Sequence, residues 1–175
     1  VAADPNAILV GQFENPSNPK AHKLSTGPEL VLQCKQYDVK PKFFIAGSGT
    51  GGTISGCSPI LKNAFTDLKS VLVEPADSPL ISTGKAGPHK IQGIGPNFIP
   101  GTLDKSVVDK IETAKFDDAV KMVQKLARTE GILVGISSGA AIDIAVKYAE
   151  EHNCDVIVIA PDTGERYLSI EGLFQ

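Results

Sequence analysis

The sequence predicts an α/β fold in which a twisted, mostly parallel β-sheet is flanked by helices. Short apolar runs rich in β-branched residues alternate with longer segments of helical periodicity, the order that produces parallel sheets. A glycine-rich turn also joins one apolar run directly to a helix-compatible segment. With 175 residues and 42% hydrophobic side chains, the chain can bury a substantial core. We therefore expect residues 1–175 to form a single domain.

The predicted strands and helices alternate along the chain. The predicted strands are Lys42–Ala46, Ser70–Glu74, Ile132–Gly135 and Val156–Ala160, and the predicted helices are Ser55–Phe65, Asp117–Glu130 and Ala140–His152. In the second helix, apolar residues recur at spacings of three and four, which gives the helix one apolar face. Asp117 is expected to cap the start of that helix.

A long connection without its own periodicity runs from Pro75 to Pro100 and is rich in glycine and proline. Connections of this length are usually functional or mobile, and we expect this one to be functional. A second stretch, rich in proline and asparagine, occupies residues 13–19 before the first predicted strand.

Composition and charge narrow the class of ligand. The net charge is −3 and comes from interspersed acids and bases, so neither nucleic acid nor an anionic membrane is predicted as a partner. The longest apolar runs fall far short of the roughly 20 residues of a membrane-spanning helix. Cys34, Cys57 and Cys154 form no CxxC pair, which favours reduced, buried thiols in a cytoplasmic protein. A small-molecule ligand is the prediction that remains, and no metal site is predicted.

The run from Phe43 to Thr53 leads from an apolar strand through glycines into a helix. Glycine lets the backbone approach an oxyanion, and the first amides of the helix point toward it. Gly47, Gly49 and Gly52 also satisfy GxGxxG, with Glu74 about 20 residues later, where a ribose-binding acid is expected. No Gly-Lys-Ser/Thr follows, which excludes a nucleotide triphosphate P-loop. The residues alone leave a dinucleotide, another phosphate ligand or a ligand-free turn open.

A set of short motifs, in order along nearly the whole chain, resembles one family. The motifs are Gln12–Pro16 with Thr26–Glu29, then Gly49–Thr53, Gly87–Gly95, Gly135–Ala140 and Pro161–Ser169. They are similar to those of the pyridoxal-phosphate-dependent β-substituting synthases, the family of cysteine synthase and cystathionine β-synthase. The resemblance implies the large C-terminal domain of a fold-type II enzyme that uses pyridoxal 5′-phosphate as its cofactor.

The resemblance also implies roles for particular residues. The cofactor's phosphate would be held by the backbone and hydroxyl groups of Gly49, Thr50, Gly51, Gly52 and Thr53. Ser137 would place its hydroxyl on the pyridine nitrogen, which gives a weaker electron sink than an aspartate and suits β-elimination. By its own sequence position, Ser137 is also a reasonable N-cap for the following helix. Gln12 matches a position that helps to hold the substrate carboxylate.

Other polar residues in the motifs receive different interpretations. If the ligand is a monophosphate, no ribose-binding acid is needed, and a structural role is favoured for Glu74. The resemblance places His89 and Lys90 near the mouth of the active site, where serine acetyltransferase docks in the family, and we interpret both as surface or partner-binding residues. Asp162 is implied to lie on the cofactor side, with no role that the sequence specifies.

The family's Schiff-base lysine and its surrounding Ser-x-Lys-Asp-Arg-like motif are not found in this sequence. Lys85 and Lys90 lack that context, so no catalytic residue is predicted. The family's Thr-Ser-Gly-Asn-Thr carboxylate-binding loop is also missing, and both motifs would precede Val1. We therefore expect the chain to be the C-terminal, cofactor-phosphate-binding part of a two-domain enzyme, with its N-terminal part absent and with negligible turnover on its own.

The activity implied by the resemblance is the conversion of O-acetylserine and sulfide to cysteine and acetate. The family is usually dimeric, so a homodimer is expected, with serine acetyltransferase as a possible partner. Three alternatives stay open: a cystathionine β-synthase acting on serine and homocysteine, a dinucleotide-binding domain, and a noncatalytic paralogue that serves as a scaffold.

Overall fold

The computed structural model of the chain describes residue 4 and residues 6–174, in which helices and strands alternate. The helices are α1 (Ser17–Leu24), α2 (Thr26–Gln36), α3 (Gly52–Ala64), α4 (Leu80–Thr83), α5 (Phe116–Thr129) and α6 (Ile136–His152). The strands are β1 (Pro41–Gly47), β2 (Lys69–Pro75), β3 (Lys110–Ala114) and β4 (Asp155–Val158). The predicted α/β class is confirmed.

The four strands form one sheet in the order β3-β2-β1-β4, and every neighbouring pair is parallel. After β1, the chain adds β2 and then β3 on one side of it, and β4 returns to the other side. The strand order therefore reverses between β1 and β4. In open α/β sheets, ligands bind outside the carboxyl ends of the strands at such a point.

Both faces of the sheet are buried beneath helices, which explains why the central strands read as nearly continuous apolar runs. On one face, Phe43 and Ile45 pack with residues of α5 and α6, including Val123, Ala140 and Tyr148. On the other face, the core contains Phe44, Ala46 and Leu72 with Cys34 of α2 and Ile54, Cys57 and Leu61 of α3. Alternate residues of β1 thus serve two separate cores.

Two local predictions are wrong. Ile132–Gly135 is not a strand of the sheet, since only Val134 forms an isolated antiparallel bridge, with Thr163. This segment joins α5 to α6, and its residues Ile132 and Leu133 are 53% and 49% exposed. Asp117 does not cap α5, because the cap position is Lys115 and Asp117 lies in the first turn. There its negative charge interacts favourably with the positive end of the helix dipole.

Sequence periodicity missed α1, α2 and β3. The edge strand β3 carries charged and polar residues and is mostly only half-buried, so it has no apolar run to reveal it. The long connection from Pro75 to Pro100 contains the single-turn helix α4 and places Ile91 and Ile94 in the core.

Cys34 and Cys57 are buried and Cys154 is half-buried, and all three thiols are free, as predicted. Burial raises the pKa of the Cys57 thiol to about 11, so this thiol stays protonated near neutral pH. Across the part of the chain that the structure describes, no helix combines the length and apolar character needed to cross a membrane.

Candidate functional site

A cavity of about 180 Å³ lies at the carboxyl edge of the sheet, at the reversal between β1 and β4. The end of β1 and the glycine loop form one wall, Gly93 and Ile94 form another, and Ser137 and Pro161 close a third side. A second groove of about 370 Å³ adds Gln12, Phe13 and Pro96 and shares Gly49, Thr50, Gly93 and Ile94 with the first. The two predicted parts of the site, the glycine loop and Ser137, therefore meet at one cavity.

Two positions in the glycine loop require glycine. Gly51 precedes α3 with φ +78, a left-handed conformation that side chains disfavour. A Cβ on Gly51 would lie 2.7 Å from the Leu103 Cβ, and a Cβ on Gly49 would lie 2.7 Å from the Gly93 carbonyl oxygen. The absence of side chains at Gly49 and Gly51 thus lets the glycine loop pack closely against Gly93 and Leu103. As at every helix start, the first amides of α3 have no acceptors within the helix.

No charged side chain lines the cavity among the residues that the structure describes. Thr50 and Thr53 contribute hydroxyl groups, and the Thr102 hydroxyl fixes the loop by donating to the Thr50 carbonyl at 2.7 Å. Within the same described residues, no group of three or more His, Cys, Asp and Glu side chains is arranged to hold a metal ion. The chemistry offered to a ligand is therefore that of amides, hydroxyls and the positive end of a helix.

Ser137 lines the cavity from the start of α6, but it does not cap that helix, and the prediction of an N-cap is wrong. The cap position is Gly135, in extended backbone and without a side-chain cap. Ser137 lies in the first turn and is 3% exposed. A Cβ on Gly93 would lie 3.2 Å from the Ser137 hydroxyl, so glycine at this position keeps space open beside the hydroxyl.

Asp162 supports the start of α6. Its carboxylate accepts hydrogen bonds from the Ser138 hydroxyl at 3.1 Å and from the Tyr167 hydroxyl. A Cβ on Gly135 would lie 2.2 Å from Asp162 Oδ1. Burial, followed by the hydrogen bond to Asp162, raises the pKa of Tyr167 to about 12. Asp162 therefore joins the residues after β4 to the helix turn that carries Ser137, a role that the sequence did not specify.

Glu74 has the structural role that was favoured for it. Its side chain is 1% exposed, and its carboxylate accepts hydrogen bonds from the Ile81 amide at 2.8 Å, the Ser82 amide at 3.1 Å and the Ser82 hydroxyl. These donors all belong to α4. Because the carboxylate is buried and hydrogen-bonded to α4, Glu74 is not available to bind a ribose. The dinucleotide hypothesis, which required Glu74 as the ribose-binding acid, is therefore left with the glycine pattern alone.

The remaining predicted positions lie around the groove and the long connection. Gln12 is exposed at the groove. His89 is half-buried rather than a plain surface residue, because its Nε2 lies 2.7 Å from the Gly95 carbonyl oxygen and fixes the segment beside the cavity. Lys90 is exposed, with its Nζ 5.7 Å from the Phe116 ring centroid. Among the described residues, no lysine lines either the cavity or the groove.

Sequence reasoning assigned no role in the site to several residues that support it, including Asn18, His22, Gly93, Thr102 and Tyr167. Thr102 is separated from Thr50 by 52 residues and His22 from Thr53 by 31. A spacing of four between Asn18 and His22 is compatible with one helix face, but nothing in the sequence indicates which partner that face contacts.

Comparisons with known proteins agree with this geometry. A family model described as pyridoxal-phosphate dependent enzyme matches residues 1–162. The chain is 48% identical over 160 residues to the cysteine synthase of Staphylococcus aureus (strain N315), covering 90% of this chain and 51% of that relative. It spans about half the length of the curated relatives it matches.

Solved structures are similar over the same extent. The cysteine synthase of Entamoeba histolytica has a TM-score of 0.88 at 38% identity, covering 97% of this chain and 50% of that one. The O-acetylserine dependent cystathionine beta-synthase of Helicobacter pylori has a TM-score of 0.87 at 37% identity, covering 99% of this chain and 56% of that one.

Proposed function

This chain belongs to the pyridoxal-phosphate-dependent enzyme family, and we propose that it forms the cofactor-phosphate-binding part of a two-domain cysteine synthase. The proposed activity is a β-replacement that converts O-acetylserine and sulfide to cysteine and acetate. The observation that carries the proposal is the meeting of the glycine loop and Ser137 at one cavity, at the reversal point of the sheet.

The residues around the cavity fit a pyridoxal 5′-phosphate molecule. The proposed phosphate site is Gly49–Thr53, because this loop has no side-chain carbons at Gly49 and Gly51 and leads into the positive end of α3. The absence of acidic groups from the described cavity lining also suits a phosphate dianion. Ser137, on another wall, is proposed to hydrogen-bond the pyridine nitrogen.

Pyridoxal phosphate, when bound, supplies an electron sink for the loss of a β-substituent. The chain's own residues bind and orient the reactants. The Thr50 and Thr53 hydroxyls are proposed to donate to the phosphate, and Ser137 holds the ring nitrogen with a neutral partner. Gln12, at the adjoining groove, is proposed to bind the substrate carboxylate. The wall formed by Gly93 and Ile94 is proposed to limit the access of water to the cavity.

No lysine among the described residues lines the cavity, so the proposal assigns no covalent anchor to these residues. The chain is accordingly expected to bind the cofactor reversibly and to turn over O-acetylserine negligibly by itself. The family resemblance further supports a homodimer, a cytoplasmic location and serine acetyltransferase as a partner, and these three are part of the proposal.

A cystathionine β-synthase activity is the second candidate. It is supported by the similarity to the O-acetylserine dependent cystathionine beta-synthase of Helicobacter pylori. Assays of the full-length protein with sulfide and with homocysteine as the second substrate separate the two candidates, because the preferred nucleophile gives the faster product formation.

The cofactor proposal is tested by titrating the chain with pyridoxal 5′-phosphate and with pyridoxal, which lacks the phosphate. We expect the phosphorylated form to bind at least about tenfold more tightly, since charged hydrogen bonds each contribute about 1.5–3 kcal/mol. Borohydride reduction followed by mass spectrometry should find no lysine adduct. Equal affinity for the two compounds would overturn the phosphate site, and an adduct on one lysine would overturn the absence of an anchor.

A further inference from the structure

Helix α1 packs directly behind the glycine loop. A Cβ on Gly52 would lie 2.0 Å from Asn18 Oδ1, and a Cβ on Gly56 would lie 2.7 Å from the His22 Cβ. The two glycines are one turn apart on α3, and Asn18 and His22 are one turn apart on α1. This close approach brings two polar side chains of α1 to the two threonines of the loop.

Asn18 fixes the direction of the Thr50 hydroxyl. Asn18 Nδ2 donates to the Gln12 carbonyl at 2.8 Å and to Thr50 Oγ1 at 2.9 Å. Because a carbonyl oxygen only accepts, the amide nitrogen must occupy this position. The Gly52 amide also donates to Thr50 Oγ1, at 3.2 Å. The Thr50 oxygen thus accepts two hydrogen bonds, and its own proton is left to donate to another acceptor.

His22 makes the corresponding contact with Thr53. Its Nε2 lies 3.3 Å from Thr53 Oγ1, and its Nδ1 lies 3.0 Å from Thr26 Oγ1. Burial lowers the pKa of His22, so the ring is neutral near neutral pH and carries one proton on one nitrogen. The two hydrogen bonds can then be arranged in two ways.

In one arrangement, His22 Nε2–H donates to Thr53 and the Thr26 hydroxyl donates to Nδ1. In the other arrangement, Nδ1–H donates to the Thr26 hydroxyl, and the Thr53 hydroxyl donates its proton to Nε2. Only the first arrangement leaves the Thr53 proton available to a ligand. The second turns oxygen lone pairs toward the cavity, which a phosphate dianion would disfavour.

We propose that Asn18 and His22 are positioning residues that direct the hydroxyl protons of Thr50 and Thr53 toward a phosphate group in the cavity, and that phosphate binding selects the Nε2-protonated tautomer of His22. The inference rests on the phosphate site proposed above and extends it to a second layer of residues. In that layer, uncharged side chains set the donor direction of the hydroxyl groups that contact the anion.

The tautomer is measurable by ¹⁵N nuclear magnetic resonance of the chain, which contains three histidines. Addition of pyridoxal 5′-phosphate is expected to leave His22 with a protonated Nε2 and an accepting Nδ1. His152, whose ring packs 4.9 Å from the Phe43 ring, is the internal control and should not change. A His22 ring that is protonated on Nδ1 in the bound state would overturn the proposal.

Variants provide the second measurement, for which the readout is the ratio of affinities for pyridoxal 5′-phosphate and pyridoxal. His22→Leu is expected to lower this ratio about tenfold, the effect of weakening one hydrogen bond to a charged group. His22→Gln retains a side-chain donor and should recover most of the ratio. In a Thr53→Val background, His22→Leu should cause little further loss, because the hydroxyl that it directs is already gone.

His152→Leu is the matched control for removal of a histidine ring and should leave the ratio unchanged. Melting temperatures identify any variant that fails to fold, in which case the tautomer of the unmodified chain decides the question. If the unmodified chain has a high ratio of affinities and His22→Leu does not lower it, the positioning role is overturned and the phosphate site is left intact. Equal affinities in the unmodified chain would overturn both.

Discussion

Helices α3 and α6 both begin at the edge of the same cavity, but their surroundings differ in charge. Behind the start of α3 lie Asn18 and His22, which are both uncharged near neutral pH. Beside the start of α6 lies the carboxylate of Asp162, which offsets the positive end of that helix. An anion is therefore favoured at α3, whereas the Ser137 hydroxyl at α6 suits an uncharged polar atom.

Because of this difference, the two ends of the cavity favour different groups of a ligand. A ligand with a phosphate at one end and a ring nitrogen at the other has one favoured orientation, with the phosphate against the glycine loop. The comparison teaches that two helix starts at one cavity can differ in ligand preference because of the residues behind them. Each of the following measurements tests one side of this comparison.

Gly51→Ala is expected to have the largest effect, because it disrupts the start of α3. The new Cβ would lie 2.7 Å from the Leu103 Cβ at a residue with φ +78, so the loop must shift. If about three amide hydrogen bonds to the phosphate each weaken by about 1 kcal/mol, the affinity for pyridoxal 5′-phosphate falls about 100-fold. Titration of the purified variant measures this loss.

Gly84→Ala is the matched control for that substitution. Gly84 has φ +77, but a Cβ there would meet no atom within 4 Å. This variant should lose only about 1–2 kcal/mol of unfolding free energy from left-handed strain and should bind the cofactor normally. Similar affinities for the two variants would show that the loop geometry does not determine phosphate binding.

Ser137→Ala tests the α6 side and is expected to have a smaller effect. Removal of one hydroxyl should weaken binding of pyridoxal 5′-phosphate and of pyridoxal by a similar factor of about ten, because both compounds have the ring nitrogen. The ratio of the two affinities should stay constant, in contrast to the result expected for His22→Leu. A fall in that ratio would contradict the proposed orientation.

Ser138→Ala distinguishes the proposed contact between Ser137 and the ring nitrogen from the stabilisation of α6 by Asp162. The Ser138 hydroxyl is bonded to Asp162 and does not line the cavity. Its loss should lower the unfolding free energy by about 1 kcal/mol and leave both affinities nearly unchanged.

The burial of Tyr167, together with its hydrogen bond to Asp162, also predicts a pH dependence, the smallest of these effects. The pKa of Tyr167 is raised to about 12 in the folded chain from an ordinary value of about 10. The folded state therefore holds the proton more tightly, and this contribution to stability is complete below pH ~10 and is lost as the pH rises toward ~12. Denaturant unfolding across this range should show a smaller decline in stability for Tyr167→Phe than for the unmodified chain.

Tyr37→Phe is the matched control, since Tyr37 is 71% exposed. This variant removes a tyrosine hydroxyl without touching Asp162. If Tyr167→Phe and the unmodified chain lost stability at the same rate with pH, the raised pKa of Tyr167 in the folded chain would be contradicted.

The sequence predicted the buried centre of the fold better than its edges. The strands β1 and β2 are covered on both faces, so their apolar runs identify them without tertiary information. The edge strand β3 has only one buried residue, Ala114, and was not predicted. The apolar run at Ile132–Gly135 was interpreted as a strand, but in the structure it joins α5 to α6, with Ile132 and Leu133 exposed and Val134 buried.

The glycine loop was identifiable from sequence alone because its conformation depends on a local property, the backbone freedom of glycine between a strand and a helix. The roles of Glu74 and Asp162 required the structure, since a carboxylate has the same sequence signal whether it binds a ribose or caps a helix. Contact with α4 decided the role of Glu74, and contact with Ser138 and Tyr167 decided that of Asp162.

The sequence by itself determined the α/β class, the central strands and the glycine loop, because runs of apolar residues and the spacing of glycines are local patterns. Only the tertiary structure decided which side chains lie behind the loop and which of its hydroxyl groups they contact. Asn18 is 32 residues from Thr50, and His22 is 31 residues from Thr53. Hydrogen-bond direction depends on how closely α1 approaches α3 in space, which the packing at Gly52 and Gly56 sets and which no local sequence pattern specifies.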